Sequence, residues 1–206
     1  MDNEEVSFSA LPIIDLSWAS STSKKPLLLK QLHDALFNVG FLYIKNHGVP
    51  SSYISDLASL LPSLFDLPDK QKNALSKLNS PHFLGYSGYH DAVQALSYRF
   101  VHLIEEAFDI PTGTFDDFFR TSGSARGGSD QHASASWMPP QHRIKLVKYP
   151  PNTSVNNASD RGQGVGAHKD SSGWLTFLYQ VGEEEGLEVL NTTGDWIAAP
   201  PLEILS

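Results

Sequence analysis

The stretch Gly164-Val-Gly-Ala-His168-Lys-Asp170-Ser-Ser-Gly-Trp-Leu175-Thr-Phe-Leu-Tyr-Gln180 decides how the chain is read. Val165 to Asp170 and Leu175 to Val181 are short apolar runs broken by glycine and serine, the pattern of two strands joined by a turn. Side chains alternate between the faces of a strand, so His168 and Asp170 share a face and both can reach one ion. An imidazole with a carboxylate suits a divalent first-row metal, and a second histidine would complete a three-donor facial set. The bare spacing carries little weight. Eight histidines and 23 acidic residues in 206 positions give about one His-x-acid pair by chance, and the chain holds one. Taken alone, the pair reads more readily as structural or solvent-exposed side chains than as ligands.

Working outward, three more strand-like runs flank this stretch: Ile144 to Tyr149, Leu187 to Leu190 and Trp196 to Ala199, separated by Pro, Gly, Asn and Asp. Short strands with turn punctuation predict a sandwich or barrel of the jelly-roll type. Glu183-Glu-Glu185 reads as a solvated hairpin tip, and Trp174 and Trp196 as burying their rings in the sheet. Upstream, Thr121 to Ser136 has eight Gly or Ser in sixteen residues and nothing apolar larger than alanine, which predicts a linker.

The first hundred residues have another texture. Leu11-Pro-Ile-Ile-Asp-Leu-Ser17 and Phe41-Leu-Tyr-Ile-Lys45 read as strands. Between them Leu28, Leu29, Leu32, Ala35, Leu36 and Val39 follow helical spacing, with Pro26 in the first turn and Gly40 as the stop. A second helix is predicted from Ser51 to Phe65, capped by Ser51 or Ser52, with Ile54, Leu57, Ala58, Leu61, Leu64 and Phe65 on one face and Pro62 as a kink or stop. Asp69 to Leu75 is a helical turn or two and Gly85-Tyr-Ser-Gly-Tyr89 a loop. Val101 to Ile110 fits strand or helix.

Composition removes several function classes. There is no cysteine, so disulfide frameworks, thiolate metal sites, iron–sulfur clusters and cysteine nucleophiles are excluded. A formal charge of −8 and no Lys or Arg run longer than two argue against nucleic acid as a partner. No stretch approaches the roughly 20 apolar residues of a membrane span, and the acidic start Met1-Asp-Asn-Glu-Glu5 is unlike a secretory leader. A cytoplasmic location without membrane contact is therefore expected, and the Asn-x-Ser/Thr sites at Asn152, Asn157 and Asn191 are discounted.

The ordered blocks resemble a family. The His168-Lys-Asp170 run, Leu175-Thr-Phe-Leu-Tyr-Gln180, Gly186-Leu-Glu-Val189 and Gly194-Asp-Trp-Ile-Ala-Ala-Pro-Pro201 are similar, in order, to the core of the Fe(II)/2-oxoglutarate-dependent dioxygenases of the isopenicillin N synthase-like family. Leu11-Pro-Ile-Ile-Asp15, Gly40-Phe-Leu-Tyr-Ile-Lys-Asn-His-Gly-Val-Pro50 and Glu106-Ala-Phe-Asp-Ile110 resemble its N-terminal domain. The resemblance implies an α+β fold with a double-stranded β-helix (jelly roll) core, here incomplete, and an N-terminal α/β region. Residues 1–110 would form the N-terminal dioxygenase-type domain, 111–142 a Gly/Ser-rich linker, and 143–206 a partial jelly-roll domain.

It also implies Fe(II) as cofactor, 2-oxoglutarate as cosubstrate, and oxidation of a small organic substrate, such as a secondary metabolite, with O2. His168 and Asp170 match the family's first two iron ligands. Tyr149, in Val147-Lys-Tyr-Pro-Pro151, matches a tyrosine that in many members holds the far carboxylate of 2-oxoglutarate; an aromatic residue packed in the core is the other reading. His47 falls in a structural block, and His33, His82, His90, His102, His132 and His142 match no functional position. The family carries its third ligand, a second histidine, and an Arg-x-Ser pair well downstream. The 36 residues after Asp170 contain neither His nor Arg. Long helices that members place before the Tyr-Pro-Pro strand are replaced by the Gly/Ser-rich stretch. A chain truncated at its C-terminus and shortened in the middle is therefore expected, with sheet edges and part of an apolar face exposed. Two alternatives stand beside the oxygenase: an inactive fragment acting as a binding module, and an iron oxidase that does not use 2-oxoglutarate. Neither the substrate nor the oligomeric state can be read from these residues.

Overall fold

Parallel pairing of adjacent strands requires a crossover, and the first hundred residues supply one. The computed structural model describes residues 7–74, 87–119, 144–149, 164–170 and 175–202. Strand β1 (Ile13–Asp15) pairs in parallel with β2 (Tyr43–Lys45), in the register Ile13 to Tyr43, Ile14 to Ile44 and Asp15 to Lys45. Between them run a 3-10 turn, Leu16–Ser20, and helix α1 (Lys25–Asn38). Asp15 accepts from the Ser17 backbone N–H (3.0 Å) and hydroxyl (2.6 Å) and from the Asn46 amide (2.8 Å), so one carboxylate ties the ends of both strands together. Pro26 lies in the first turn of α1, and Gly40, at φ +76°, closes it with an N–H directed to the Ala35 carbonyl.

Helix α2 (Ser51–Phe65) has the predicted bounds, but its cap is Pro50, in an extended conformation with no side-chain cap bond, rather than Ser51 or Ser52. Pro62 lies inside the helix without ending it, and Ile54 is the buried residue of its apolar face. Helix α3 (Asp69–Ala74) follows. Helix α4 (Ser87–Ala107) settles the ambiguous Val101 to Ile110 run as helix to Ala107 and corrects the loop expected at Gly85 to Tyr89 over Ser87 to Tyr89, Gly85 and Tyr86 lying outside the described residues. Tyr89, Ala92, Val93 and Leu96 recur at helical spacing and pack together with Val49 and Ile54, which draws the helix start upstream to Ser87.

The main core joins α1 to α4: Leu28, Leu32, Ala35, Phe100, Leu103 and Ile104, with Ile14 of β1. Helix α5 (Thr114–Phe119) lies within the span read as linker; residues 120–143 lie outside the described residues. It is held by Glu105, fully buried, whose carboxylate accepts from the N–H groups of Gly113 and Phe115, both at 2.7 Å. Lys25 of α1 bridges to the neighbouring Glu106 at 2.7 Å.

Beyond residue 143 the expectations are met in part. Of the five strand-like runs, two contain strands, β3 (Glu188–Leu190) and β4 (Trp196–Ala198), paired antiparallel in the register Val189 to Ile197. Residues 144–149, 164–170 and 175–181 form no regular strand. A strand persists through pairing, and among the described residues none of the three has a strand beside it. The described residues are thus a mixture of helix and sheet with no closed barrel. Trp196, expected in the sheet interior, is 49% exposed, because its face of the two-stranded ribbon has no second layer among the described residues. Glu183 to Glu185 are exposed, as a solvated tip requires. Asn191 is buried. Its side-chain oxygen accepts from Thr193 and Asp195 N–H groups and its amide donates to the Phe8 carbonyl, which organises the β3–β4 turn and leaves the residue a structural one. A bond from the Tyr43 hydroxyl to the Pro200 carbonyl (2.7 Å) also ties the hairpin to the N-terminal region. Among the described residues no helix is long and apolar enough to cross a membrane.

Candidate metal centre

Alternation along residues 175–181 positions the site even without a paired strand. Leu175 and Phe177 turn inward onto the α1–α4 core, with the Phe177 ring edge-on to Phe100 at 5.8 Å and 71°. The residue between them, Thr176, faces the other way, and its hydroxyl donates to Asp170 Oδ2 at 3.1 Å. The N-terminal core thereby fixes the segment that carries a hydrogen bond to one of the candidate ligands.

His168 and Asp170 lie together. Nε2 of His168 is 3.5 Å from Asp170 Oδ1. Nδ1 of His168 is 2.8 Å from the Gly166 carbonyl, which can only accept, so Nδ1 carries a hydrogen and, in the neutral ring, Nε2 holds the lone pair. With Oδ2 occupied by Thr176, the remaining carboxylate oxygen is the one beside that lone pair. Adjacent donors around an octahedral ion at about 2.1 Å stand about 3 Å apart, so this nitrogen and this oxygen need only a small shift to share an ion. Both side chains are open to solvent, at 58% and 60%. Among the described residues no third His, Asp or Glu joins them to make a three-donor group.

Tyr149 is 55% exposed and its ring lies directly against Gly164, where a β-carbon would collide with Tyr149 Cδ1. Glycine at 164 is what permits that approach. The ring thus sits over the start of the segment that ends in His168 and Asp170. His47, expected to be structural, accepts from the Val49 N–H through Nδ1 (3.0 Å), while Arg99 donates to its carbonyl (2.8 Å). Loss of solvent, and then the Arg99 charge, hold its pKa below the usual histidine value. His33 stacks on Phe37 and lies tilted against Phe108, and His102 pairs with Asp116 at 3.0 Å. Trp174, His82, His132 and His142 lie outside the described residues. Thr176 is the contributor that sequence reasoning passed over; the signal was its place between two inward-facing apolar residues.

Comparisons with known proteins bear on the whole chain. The family described as non-haem dioxygenase in morphine synthesis N-terminal matches residues 11–123. The 2-oxoglutarate-dependent dioxygenase frbJ of Dothideomycetidae sp. (strain 11243) is 32% identical over 251 aligned residues, covering 96% of this chain and 63% of that protein. A 2-oxoglutarate-dependent dioxygenase of Gibberella zeae is 26% identical over 95% of this chain and 61% of its own length. The 2-oxoglutarate-dependent dioxygenase thnC of Trichoderma harzianum is 30% identical over 98% of this chain and 73% of its own. The chain spans a little over three fifths of the length of the first two. Alignments longer than the 206 residues present mean that these relatives carry segments within the matched span that this chain lacks. With more than half its length matching the N-terminal family model and its remainder aligned to these relatives, the chain belongs to the non-haem 2-oxoglutarate-dependent dioxygenase family.

Proposed function

We propose that this chain is part of an oxygenase that oxidises a small organic substrate with O2 and 2-oxoglutarate, using Fe(II) held by His168 and Asp170. The observation that carries the reading is the convergence of His168 Nε2 and Asp170 Oδ1 at 3.5 Å, in a chain of this family. The donor set suits the ion: neutral imidazole and carboxylate favour divalent first-row metals, and no thiolate in the chain competes for softer ones. Fe(II) bound there would supply O2 activation coupled to the oxidative decarboxylation of 2-oxoglutarate. The chain's own part is positional. Gly166 fixes the His168 tautomer, Asp170 brings one negative charge, and Tyr149, with its phenol accessible, would donate to the far carboxylate of 2-oxoglutarate. A jelly-roll core assembled around this segment and a cytoplasmic location belong to the same proposal.

Two donors hold an ion more weakly than three, so weak but specific divalent binding is expected. Isothermal titration of the chain with Mn(II) or Fe(II) under argon should show heats that vanish in His168→Ala. Equal heats for both proteins overturn the assignment. A binding module without turnover is the second reading, favoured by the exposure of both donors, since oxygenase chemistry needs a site closed to water. Release of succinate from 2-oxoglutarate separates the two.

A further inference from the structure

Resting on that assignment of His168 and Asp170, we infer that Thr176 is a positioning residue of the metal site, selecting which Asp170 oxygen faces the ion. A lone carboxylate on an exposed segment can rotate about its last torsion and offer either oxygen, or both. Here the Thr176 hydroxyl donates to Oδ2 at 3.1 Å while Oδ1 lies 3.5 Å from His168 Nε2, so the hydrogen bond assigns the two oxygens different tasks. The donor is itself held on two counts. Threonine is stiff at χ1 because of its β-branch. Its backbone neighbours Leu175 and Phe177 are packed onto the α1–α4 core, with Phe177 against Phe100. Residues 164–170 are exposed throughout, so this bond is a tie between the metal-binding segment and the packed part of the molecule. Groups bonded to metal ligands orient them, and their loss costs about 10–100-fold in affinity; because Asp170 and Thr176 are solvent-exposed, where water competes for the same oxygen, the low end, about tenfold, applies here.

The test uses Mn(II), whose free ion is counted by electron paramagnetic resonance, titrated into the intact chain and into His168→Ala, Thr176→Val and Thr176→Ser. Valine keeps the shape and the β-branch and removes the donor; serine keeps the donor. The expected result is binding by the wild type, loss in His168→Ala, a roughly tenfold weaker Kd in Thr176→Val and near-complete recovery in Thr176→Ser, with far-UV circular dichroism unchanged throughout. A changed zero-field splitting of bound Mn(II) in Thr176→Val would report altered carboxylate coordination, which a purely structural role would leave alone. If His168→Ala weakens binding and Thr176→Val does not, the positioning role is overturned and the metal site stands. If wild type and His168→Ala bind alike, the metal site falls and the role of Thr176 falls with it.

Discussion

In α1 and α4, Leu28 and Leu32 keep none of their surface and Phe100 keeps 2%, whereas in residues 144–149 and 164–170 every side chain is exposed, Val147, Tyr149 and Val165 included. Both regions are rich in apolar residues, so hydrophobicity alone does not explain the difference. A helix satisfies its backbone hydrogen bonds within itself and needs only a facing surface, and α1 and α4 provide that surface for each other. An extended segment leaves alternate N–H and C=O groups to a neighbouring strand and buries one face only when a second layer covers it. Among the described residues beyond 143, only β3 and β4, joined by a short turn, have that neighbour. The candidate metal site lies where the two regimes meet: its ligands are on an exposed segment, and the hydrogen bond that orients one of them comes from a segment anchored in the helical core.

The contrast is broken most directly by matched truncations. Phe100→Ala removes a ring from the core and is expected to cost about 3–5 kcal/mol. Leu178→Ala, at a side chain 71% exposed, is expected to cost less than about 0.5 kcal/mol. Urea unfolding followed by the helical circular dichroism signal measures both. Similar costs would mean that Leu178 is packed in solution and that the two regions are not distinct.

A smaller effect, of about 2 kcal/mol, is expected from Glu105→Ala, which takes away the acceptor of the Gly113 and Phe115 N–H groups. Its signature is local: amide exchange should accelerate at residues 113–115 before it does in α1. Glu105→Gln keeps one acceptor and should fall between wild type and alanine. Uniform acceleration across α1 and α4 would show instead that α5 is part of one cooperative unit with the core.

How far the sequence could be read follows the same division. The helical period of Leu28, Leu32 and Ala35 and the apolar face of Ile54 to Phe65 located α1 and α2 because the pattern is local. The order strand, helix, strand over β1, α1 and β2 was legible from the same local patterns, while the parallel pairing of the two strands is a finding of the structure. Glu105 was not legible, since its partners are backbone groups in a later turn. The strand reading of Ile144 to Tyr149, Val165 to Asp170 and Leu175 to Val181 did not hold, because strand formation depends on partners elsewhere in the fold. At the site, period two placed His168 and Asp170 on one face, and the structure brings them together. It could not show that Gly166 sets the imidazole tautomer or that Thr176 claims one carboxylate oxygen, because both depend on how the backbone bends.

The finest comparison sets one histidine from each region side by side. His47 Nδ1 accepts from the Val49 N–H, so in the neutral ring its hydrogen sits on Nε2; His168 Nδ1 donates to the Gly166 carbonyl, so in the neutral ring its hydrogen sits on Nδ1 and Nε2 is bare. Long-range proton–nitrogen spectra above pH 7 should show opposite tautomers, and a shared tautomer would remove the free donor from the proposed metal site. Acidification sharpens the difference. Desolvation, and then the Arg99 charge, lower the pKa of folded His47, so between that value and the unfolded value near 6.5 the unfolded chain binds the extra proton. The contribution of His47 to stability is therefore complete above about pH 6.5 and declines as the pH falls through that window. His47→Gln, which can keep an acceptor for the Val49 N–H but cannot titrate, should flatten this part of the pH dependence of the urea midpoint. The change should be smaller than either the Phe100 or the Glu105 effect, because one partly solvated imidazole is all that titrates. A mutant whose midpoint tracks the wild type from pH 7.5 to 5.5 would show that the Val49 turn tolerates the charged ring.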